Sequence, residues 1–262
     1  MENGDFTDPS QIEDLFFEDE LEEEMESSNR PGCLIKIVAL LVLFAFTALV
    51  MPDFSTLLSD KLNFLEQNQA LREDEIVQRS KPAVVSVEAT TVSGPLSMEV
   101  RRGTGFNISS TGTIVTNQHI VADASQITIQ FGDGTSYSSS EFEIVPEVDL
   151  AIVEISGHDL PTLDLDFDYQ VRPGNMVTII GNPLGFEKIS QRGEVGRLLK
   201  LGDSQVRLFD IRISINPGNS GSPVLNDQAK VVGIIFASTT FATDDQSEPR
   251  ALAIPIQALP SH

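Results

Sequence analysis

From Pro82 onward the sequence is a series of short apolar or alternating runs, and this pattern constrains the fold more than any other feature. The runs are separated by turn-forming residues such as Gly132-Asp133-Gly134 and Asn226-Asp227. Strands spaced this closely, about a dozen in all and with almost no helical periodicity, are typical of an all-β protein. A bridging segment from Leu160 to Pro173 divides them into two halves of about six strands each.

The first part of the chain is strongly acidic. Residues 1–32 carry twelve acidic side chains and one arginine, and so hold half of the net charge of −22. A segment of this composition cannot bury enough apolar surface to fold alone, so we expect a disordered tail. The apolar triplet Leu15-Phe16-Phe17 suggests an alternative, in which the tail docks onto a basic partner.

An apolar segment follows the tail. Residues 33–52 contain one charged side chain before Pro52-Asp53, that of Lys36, and a helix of this length spans about 28 Å, enough for the core of a bilayer. A cleavable signal peptide is the alternative, but the tail before it is long and acidic rather than short and basic. We therefore predict a single transmembrane helix at 33–52, a helical stalk at 53–80 and a folded domain at 81–262, with halves at 81–165 and 166–258.

The charges beside the apolar segment favour one orientation. Arg30 and Lys36 lie on its N-terminal side, and basic residues are enriched on the cytoplasmic side of transmembrane helices. The N-terminus is therefore expected in the cytoplasm. The folded domain is expected on the extracytoplasmic, or periplasmic, side of the cell (inner) membrane.

Composition excludes several functional classes. The acidic balance leaves no basic patch for a phosphate backbone, so nucleic acid is not an expected partner. Cys33 is the single cysteine, so neither an intrachain disulfide nor a cysteine-based zinc site can form. We expect no metal and no organic cofactor.

The segment Ile215-Asn216-Pro217-Gly218-Asn219-Ser220-Gly221-Ser222-Pro223 is the strongest candidate for a catalytic feature. Its proline and glycines favour a tight turn that exposes the serine hydroxyl, and the N–H groups of Gly218 and Ser220 could point at one position, as an oxyanion hole requires. A simple hairpin turn explains these nine residues equally well. The choice depends on whether a base and an acid exist elsewhere.

A serine nucleophile needs a general base and a carboxylate that orients it. Of the three histidines, His262 ends the chain and His158 lies in a polar turn, whereas His119 follows an apolar run at a predicted strand end. A lone histidine at such a position is more often structural than catalytic. Asp149 directly precedes the apolar run Leu150 to Ile155, where a carboxylate must be solvated or paired.

Six short motifs occur in the order found in the HtrA/Deg serine proteases of the chymotrypsin-like clan. They are Gly103-Thr104-Gly105-Phe106, Thr116-Asn117-Gln118-His119-Ile120-Val121, Asp149-Leu150-Ala151, Gly181-Asn182-Pro183-Leu184-Gly185, Asn216-Pro217-Gly218-Asn219-Ser220-Gly221 and Ala253-Ile254-Pro255. The chain resembles this family over roughly residues 75–258. The resemblance implies a chymotrypsin-like fold of two six-stranded β-barrels, with the active site in the cleft between them.

The resemblance also assigns roles to single residues. It implies that Ser220 is the nucleophile, His119 the general base and acid, and Asp149 the orienting carboxylate. It implies an oxyanion hole formed by Gly218, Asn219 and Ser220. The implied substrate pocket is lined by Ser214, Ile215, Ile235, Phe236 and Ala237.

Some features depart from the family pattern. Arg212 and Ser214 stand near the expected pocket where the family often has other residues, and the absence of an acid at its base favours small or medium apolar P1 side chains over Lys or Arg. Family members commonly carry PDZ domains after the protease, whereas this sequence ends at His262, so we expect none. The family commonly forms homotrimers, which the resemblance implies here as well.

The sequence thus predicts a membrane-anchored serine endopeptidase that hydrolyses unfolded or damaged proteins outside the cytoplasm. One alternative is a regulatory protease that cuts a single membrane partner. Another is a catalytically silent binding or scaffold protein with the same fold.

Overall fold

A computed structural model describes residues 37–42, 64–94, 97–200, 206–242 and 247–260. The chain divides into two units, Met1–Ser59 and Asp60–His262. In the first unit residues 37–42 are helical. Within the described ranges, no helix has both the length and the apolar character needed to span a bilayer. The predicted tail at 1–32 and the rest of the predicted segment 33–52 lie outside the described residues.

The second unit consists mainly of β-strands, which confirms the prediction of a mostly β protein. The strands are β1 (Val84–Gly94), β2 (Ser97–Asn107), β3 (Thr113–Thr116), β4 (Gln126–Gln130), β5 (Ser136–Ser139), β6 (Phe142–Val145), β7 (Leu150–Glu154), β8 (Met176–Gly181), β9 (Ile189–Lys200), β10 (Arg207–Ile211), β11 (Pro223–Leu225), β12 (Val231–Ala242) and β13 (Ser247–Pro255). Besides a helical stretch at residues 64–70, the described part of this unit contains two short α-helices, α1 (Glu75–Ser80) and α2 (Gln118–Val121). Single 3-10 turns lie at Lys81–Ala83, Pro183–Gly185 and Ile256–Ala258.

The first seven strands form one antiparallel sheet in the order β5-β4-β1-β2-β3-β7-β6. The prediction of a closed six-stranded barrel is wrong for this half, because the sheet has seven strands and its end strands β5 and β6 do not pair with each other in the described part of the chain. Both end strands are only four residues long and are largely exposed, so closing the sheet would bury little apolar surface. The result is a half-barrel.

The hairpin of β1 and β2 is longer than the sequence pattern indicates. Its register runs from Val84 opposite Phe106 to Gly94 opposite Ser97, whereas the apolar pattern predicts only the ends nearest the core. In β2 the residues from Ser97 to Val100 are exposed, so no alternating pattern marks them. Backbone hydrogen bonds in the ladder hold this part of the hairpin together.

The remaining six strands close into a barrel in the order β10-β13-β12-β11-β8-β9. The predicted six-stranded barrel is therefore confirmed for the second half. Its interior is filled by fully buried aliphatic and aromatic side chains, including Ile179, Phe209, Ile211 and Ile235. Alternation along the strands directs these side chains inward.

A third apolar cluster lies between the half-barrel and the barrel. Phe106, Leu150, Ile180, Val231 and Ile254 contribute to it from both halves. The connecting segment adds backbone hydrogen bonds to each half: Leu163 N–H donates to Asn107 O at 2.9 Å, and Val231 N–H donates to Asp164 O at 2.8 Å. This shared core fixes the two halves against each other.

Residues 64–80 differ from the predicted stalk, because they pack against the strands of their own unit. Residues 64–70 are helical, and α1 follows after a turn. Asp74 caps α1, its side chain accepting hydrogen bonds from the N–H groups of Ile76 and Val77. Phe64 is 4% exposed and Val77 is fully buried, so apolar burial attaches this segment to the domain.

Candidate active site

His119 lies on α2, a single turn of helix that begins where β3 ends. The carboxylate of Asp149 accepts two hydrogen bonds from this residue, one from the His119 N–H to Oδ1 at 2.9 Å and one from ring Nδ1 to Oδ2 at 2.5 Å. An ionised carboxylate can only accept, so Nδ1 carries the proton and Nε2 is left as a base. The structure thus brings together the two residues that the sequence analysis selected.

Asp149 is held at the start of β7 by its neighbours. Leu150 and Ala151 are fully buried in the strand that follows, while the Asp149 side chain remains 30% exposed. The side chain of Asn117 donates from Nδ2 to the Asp149 carbonyl at 2.7 Å. The strand therefore positions Asp149, and Asn117 ties it to the loop that carries His119.

Ser220 lies in two consecutive turns. Asn219 N–H donates to Asn216 O at 3.1 Å, with Pro217 and then Gly218 (φ +101°) at the central positions. Ser222 N–H donates to Asn219 O at 3.0 Å, with Gly221 (φ +86°) at the third position of that turn. Proline followed by a residue with positive φ is typical of a type II turn, which explains the need for glycine at both positions.

Thr104 joins the Ser220 turn to the half-barrel. Its N–H donates to Ser220 O at 2.8 Å, and its hydroxyl donates to Gly218 O at 2.7 Å. A side chain on Gly221 would lie 1.9 Å from Thr104 O, so this close approach also requires glycine. The sequence analysis quoted Thr104 in a motif but assigned no role to it.

Gly103 separates the Ser220 turn from the histidine helix. A β-carbon on Gly103 would lie 3.0 Å from the Ile120 side chain and 3.1 Å from Ser220 O. Ile120 follows His119 directly, so helix and turn face each other across one glycine. In the described part of the chain the Ser220 hydroxyl makes no hydrogen bond with the His119 ring.

The N–H groups of Gly218 and Ser220 flank the buried side chain of Asn219, which is 1% exposed. Neither N–H donates to an acceptor among the described residues, although Gly218 and Ser220 are both half-buried residues. Buried or half-buried backbone donors are normally paired. Two such groups on one turn are suited to binding an oxygen that develops negative charge.

Arg101 supports the helix that carries His119, and the sequence analysis missed it. Its Nη1 donates to His119 O at 2.6 Å, and its Nη2 donates to Ala122 O and, at 3.0 Å, to Thr91 Oγ1. The guanidinium thus occupies carbonyl groups at the C-terminal end of α2, where a cation is favourable. The signal was weak because Arg101 lies on the polar part of the β1–β2 hairpin.

The five predicted pocket residues lie in different surroundings. Ser214 is exposed and lines a cavity of about 540 Å³, together with Arg212, Asn216 and Glu248. Ile215 is half-buried against the core of the second barrel.

The other three pocket candidates are on β12. Ile235 lies inside the barrel core, and its backbone bonds to the Ser220 turn: Gly221 N–H donates to Ile235 O at 2.8 Å and Ile235 N–H donates to Ser222 O at 2.9 Å. Phe236 lines a small cavity of about 60 Å³ that also borders Asp149. Ala237 is half-buried and follows a register shift in the strand.

A second large cavity, of about 760 Å³, adjoins the other side of the Ser220 turn. Gly218, Leu184, Gly103 and Arg102 line it, so it touches both halves of the domain. In the described residues no cluster of three His, Cys, Asp or Glu side chains is arranged to hold a metal ion.

A family model described as the trypsin-like peptidase domain matches residues 103–234, just over half of the chain. The chain belongs to the trypsin-like peptidase family. The matched range contains His119, Asp149 and Ser220.

Named relatives narrow the type of peptidase. "Probable periplasmic serine endoprotease DegP-like" from Pseudomonas putida is 38% identical over 135 residues, which cover 50% of this chain and 28% of that protein. This peptidase chain spans less than half the length of the curated relatives it matches.

Solved structures agree with this family. "Crystal structure of Rv3671c protease from M. tuberculosis, active form" matches with a TM-score of 0.60 and 25% identity, covering 71% of this chain and 82% of that one. "HtrA-type protease AlgW with tripeptide" matches with a TM-score of 0.57 and 28% identity, covering 70% and 59%. These similarities support a serine endopeptidase of the HtrA type.

Proposed function

We propose that this chain is a serine endopeptidase in which Ser220 is the nucleophile, His119 the general base and Asp149 the residue that orients His119. The observation that carries the proposal is the pair of N–H groups at Gly218 and Ser220, which have no acceptor among the described residues and lie on a turn that faces an Asp149-bound histidine. A purely structural hairpin turn has no need for either feature.

The reaction begins when the Ser220 hydroxyl attacks the carbonyl carbon of a peptide bond. His119 Nε2 takes the hydroxyl proton as the new C–O bond forms, and the Nδ1–H bond to Asp149 stabilises the resulting imidazolium. The carbonyl oxygen becomes an oxyanion and accepts hydrogen bonds from the N–H groups of Gly218 and Ser220. Serine–histidine hydrogen bonds are often long in the free enzyme and tighten when substrate binds.

The tetrahedral intermediate then loses the amine. His119 gives its proton to the leaving nitrogen, the C–N bond breaks, and an ester forms between Ser220 and the acyl group. Water enters, and His119 removes one of its protons as the water oxygen attacks the ester carbon. The C–O bond to Ser220 then breaks and His119 returns the proton to the Ser220 oxygen, which releases the carboxylic acid and restores the serine hydroxyl.

Labelling of the full-length protein with a fluorophosphonate tests this function. The reagent is expected to modify one residue, and peptide mapping by mass spectrometry should identify it as Ser220. Modification at another serine would contradict the assignment of the nucleophile. A folded protein that is not labelled at all would favour the catalytically silent binding protein.

We place the substrate along the free part of β12. Residues 231–234 pair with β11 and Ile235 bonds to the Ser220 turn, so among the described residues this edge of β12 is open from Phe236 onward. An extended peptide can add to such an edge through backbone hydrogen bonds, which suits unfolded or damaged proteins of varied sequence.

The P1 preference follows from the charges near Ser214. Glu248 lines the 540 Å³ cavity but is already in contact with the Arg250 guanidinium, and Arg212 pairs with Glu194 at 3.3 Å. With each acid paired, the cavity favours small or medium neutral side chains such as Val, Ala or Leu. A peptide-library profile dominated by cleavage after Lys or Arg would contradict this preference.

Membrane attachment and assembly are also part of the proposal. Residues 33–52 would anchor the chain with its N-terminus in the cytoplasm. The name of the Pseudomonas putida relative, a probable periplasmic endoprotease, supports a protease domain outside the cytoplasm. Protease added to spheroplasts should then digest the domain at 81–262 and spare the tail at 1–32; the opposite pattern would contradict this topology. A homotrimer, expected from the family, would appear in analytical ultracentrifugation.

Replacing Arg101 with methionine should lower kcat and leave KM nearly unchanged. Loss of the hydrogen bonds to His119 O and Ala122 O frees the end of α2, so the imidazole is less often aligned with Ser220. Because a hydrogen bond to a charged group contributes about 1.5–3 kcal/mol, we expect a fall of about 10- to 100-fold. Steady-state kinetics on a peptide substrate measure it.

Arg172→Met is the matched control, because Arg172 is an exposed arginine on the connecting segment before β8. The control should retain wild-type kcat, and Arg101→Lys should recover part of the loss. If Arg101→Met changes KM while kcat stays constant, Arg101 does not position His119.

A further inference from the structure

We propose that residues 64–81, here called the brace segment, hold the peptide unit between Pro217 and Gly218 in the orientation that forms the oxyanion hole. This inference rests on the function proposed above. The brace segment lies outside the range that the family model matches, 103–234. The sequence predicted no role for it beyond that of a stalk.

The Pro217–Gly218 peptide unit is held by its carbonyl oxygen. Leu184 N–H donates to Pro217 O at 2.8 Å. In a trans peptide the C=O and the N–H point in opposite directions, so a donor bound to Pro217 O directs the Gly218 N–H away from Leu184. Rotation of this unit by half a turn would break the bond to Leu184 and remove one donor from the oxyanion hole.

Leu184 belongs to the 183–188 loop, whose backbone is strained at two residues. Leu184 has φ +53° and Lys188 has φ +52°, both in the left-handed region that residues other than glycine rarely adopt. Residues in such conformations persist where their surroundings fix them. The 183–188 loop therefore needs contacts from outside.

The brace segment provides several of these contacts. The ring of Phe64 meets that of Phe186 edge-on, with centroids 6.0 Å apart. Lys188 Nζ donates to Lys81 O at 2.7 Å. Burial of the Lys188 ammonium group lowers its pKa, and the nearby carboxylates of Glu187 and Asp133 only partly offset this effect.

The brace segment also bonds to the strand that leaves the loop. Asn68 Oδ1 accepts a hydrogen bond from Ser190 N–H at 2.9 Å, and Arg192 Nη2 donates to Asp74 Oδ2 at 2.8 Å. Between them, Gln191 Nε2 donates to Ser214 O at 3.1 Å. One strand therefore connects the brace segment to the residues that lead into the Ser220 turn.

The wall of the 540 Å³ cavity confirms how near the segment lies to these residues. Phe64 and Gln67 line it together with Ser214 and Asn216. The Asn216 carbonyl in turn accepts from Asn219 N–H within the turn. Phe64 and Asn68 are thus positioning residues that act on the oxyanion hole through the loop.

The test compares Phe64→Ala and Asn68→Ala with Glu66→Ala in the full-length protein. Glu66 lies on the same stretch of helix and is exposed. Amide hydrogen exchange of residues 183–192 is measured first, because it does not depend on activity. We expect both brace variants to speed exchange in this region by about tenfold, while Glu66→Ala leaves it unchanged.

Kinetics then test the consequence for the oxyanion hole. Outright loss of one oxyanion-hole donor costs about 10²–10³ in kcat, so partial misorientation in Phe64→Ala should lower kcat by about tenfold with little change in KM. Phe64→Leu, which keeps most of the apolar contact, should recover part of the activity. Asn68→Ala removes a single acceptor and provides the test if Phe64→Ala does not fold.

The outcomes separate this inference from the proposed function. Unchanged exchange at 183–192 in both brace variants, or faster exchange with unchanged kcat, would overturn the inference while the enzyme remained active. If the wild type neither cleaves peptides nor reacts at Ser220, the proposed function fails, and the exchange result alone still decides whether the segment holds the loop.

Discussion

Replacing Ser220 with alanine is expected to lower kcat on the order of 10⁶-fold while the domain stays folded. The Ser220 hydroxyl is the group on the turn that can form the ester, because the other serine there, Ser222, is fully buried. A methyl group in place of the Ser220 hydroxyl removes neither the Thr104 bonds to the turn nor the turn itself. Circular dichroism and thermal unfolding should therefore match the wild type. Active-site titration and peptide hydrolysis measure the loss.

The same prediction extends to His119. A nucleophile and its base act as one unit, so His119→Ala should cost about as much as Ser220→Ala, and the double variant should be no worse than either. Asp149→Asn should cost less, about 10⁴-fold, because it disturbs the orientation and protonation of the ring but leaves the hydroxyl and the N–H groups in place. Additive losses in the double variant would show that Ser220 and His119 do not act together.

Replacing Arg250 with methionine is expected to destabilise the domain by about 3–5 kcal/mol. Arg250 is 9% exposed and its Nη1 contacts Asp210 Oδ1 at 3.2 Å, while Asp210 is fully buried. Without Arg250, the cation that remains beside Asp210 among the described residues is Arg197, at 3.4 Å and more than half exposed. A buried carboxylate with so little compensation is costly because the protein interior solvates charge poorly.

Urea unfolding monitored by circular dichroism measures this loss. Arg212→Met is the matched control, because Arg212 contacts Glu194 at 3.3 Å on the surface, where both side chains are about half exposed. An exposed ion pair contributes about 0–1 kcal/mol, so the control should change little. Equal losses of unfolding free energy in the two variants would show that the buried Arg250–Asp210 pair stabilises the domain no more than an exposed ion pair does.

The double variant Asp210→Leu with Arg250→Met separates the charge from the space it occupies. Removing both charges together is expected to recover much of the stability, since a buried ion pair is often replaceable by apolar side chains of similar volume. Gly196 limits this recovery, because a β-carbon there would lie 2.0 Å from Asp210 Oδ1 and the site has little free space.

The fold could be predicted to the extent that burial leaves a pattern in the sequence. Alternation in β4, where Ile127 and Ile129 are buried between polar neighbours, and the all-apolar start of β7 both identify strands. The outer hairpin of β1 and β2 and the polar strand β5 leave no such pattern, since backbone hydrogen bonds and isolated side-chain contacts, such as that of Arg101 with Thr91, hold them rather than an alternating apolar face. Closure of a sheet also depends on its end strands. For this reason the closed barrel predicted for the first half was wrong, and a half-barrel stands in its place.

The candidate site shows a similar division. His119, Asp149 and Ser220 were selected from residue type and motif order, because a serine mechanism permits few alternatives among three histidines. Arg101, Thr104 and Phe64 were missed as functional residues. Each acts through a contact with a residue far away in the sequence, and nothing about an arginine, a threonine or a phenylalanine alone indicates such a contact.

The sequence by itself determined a mostly β domain of two halves and the glycines of the Ser220 turn, because periodicity and backbone constraints are local properties. The serine-protease type followed from the resemblance of six ordered motifs to a known family. Only the tertiary structure decided that residues 64–80 pack on the domain and that Ile235 lies in the barrel core. It also decided that the N–H groups of Gly218 and Ser220 meet no acceptor in the part of the chain that the structure describes. These features depend on which distant segments meet, and packing of the two halves on one shared core fixes those meetings.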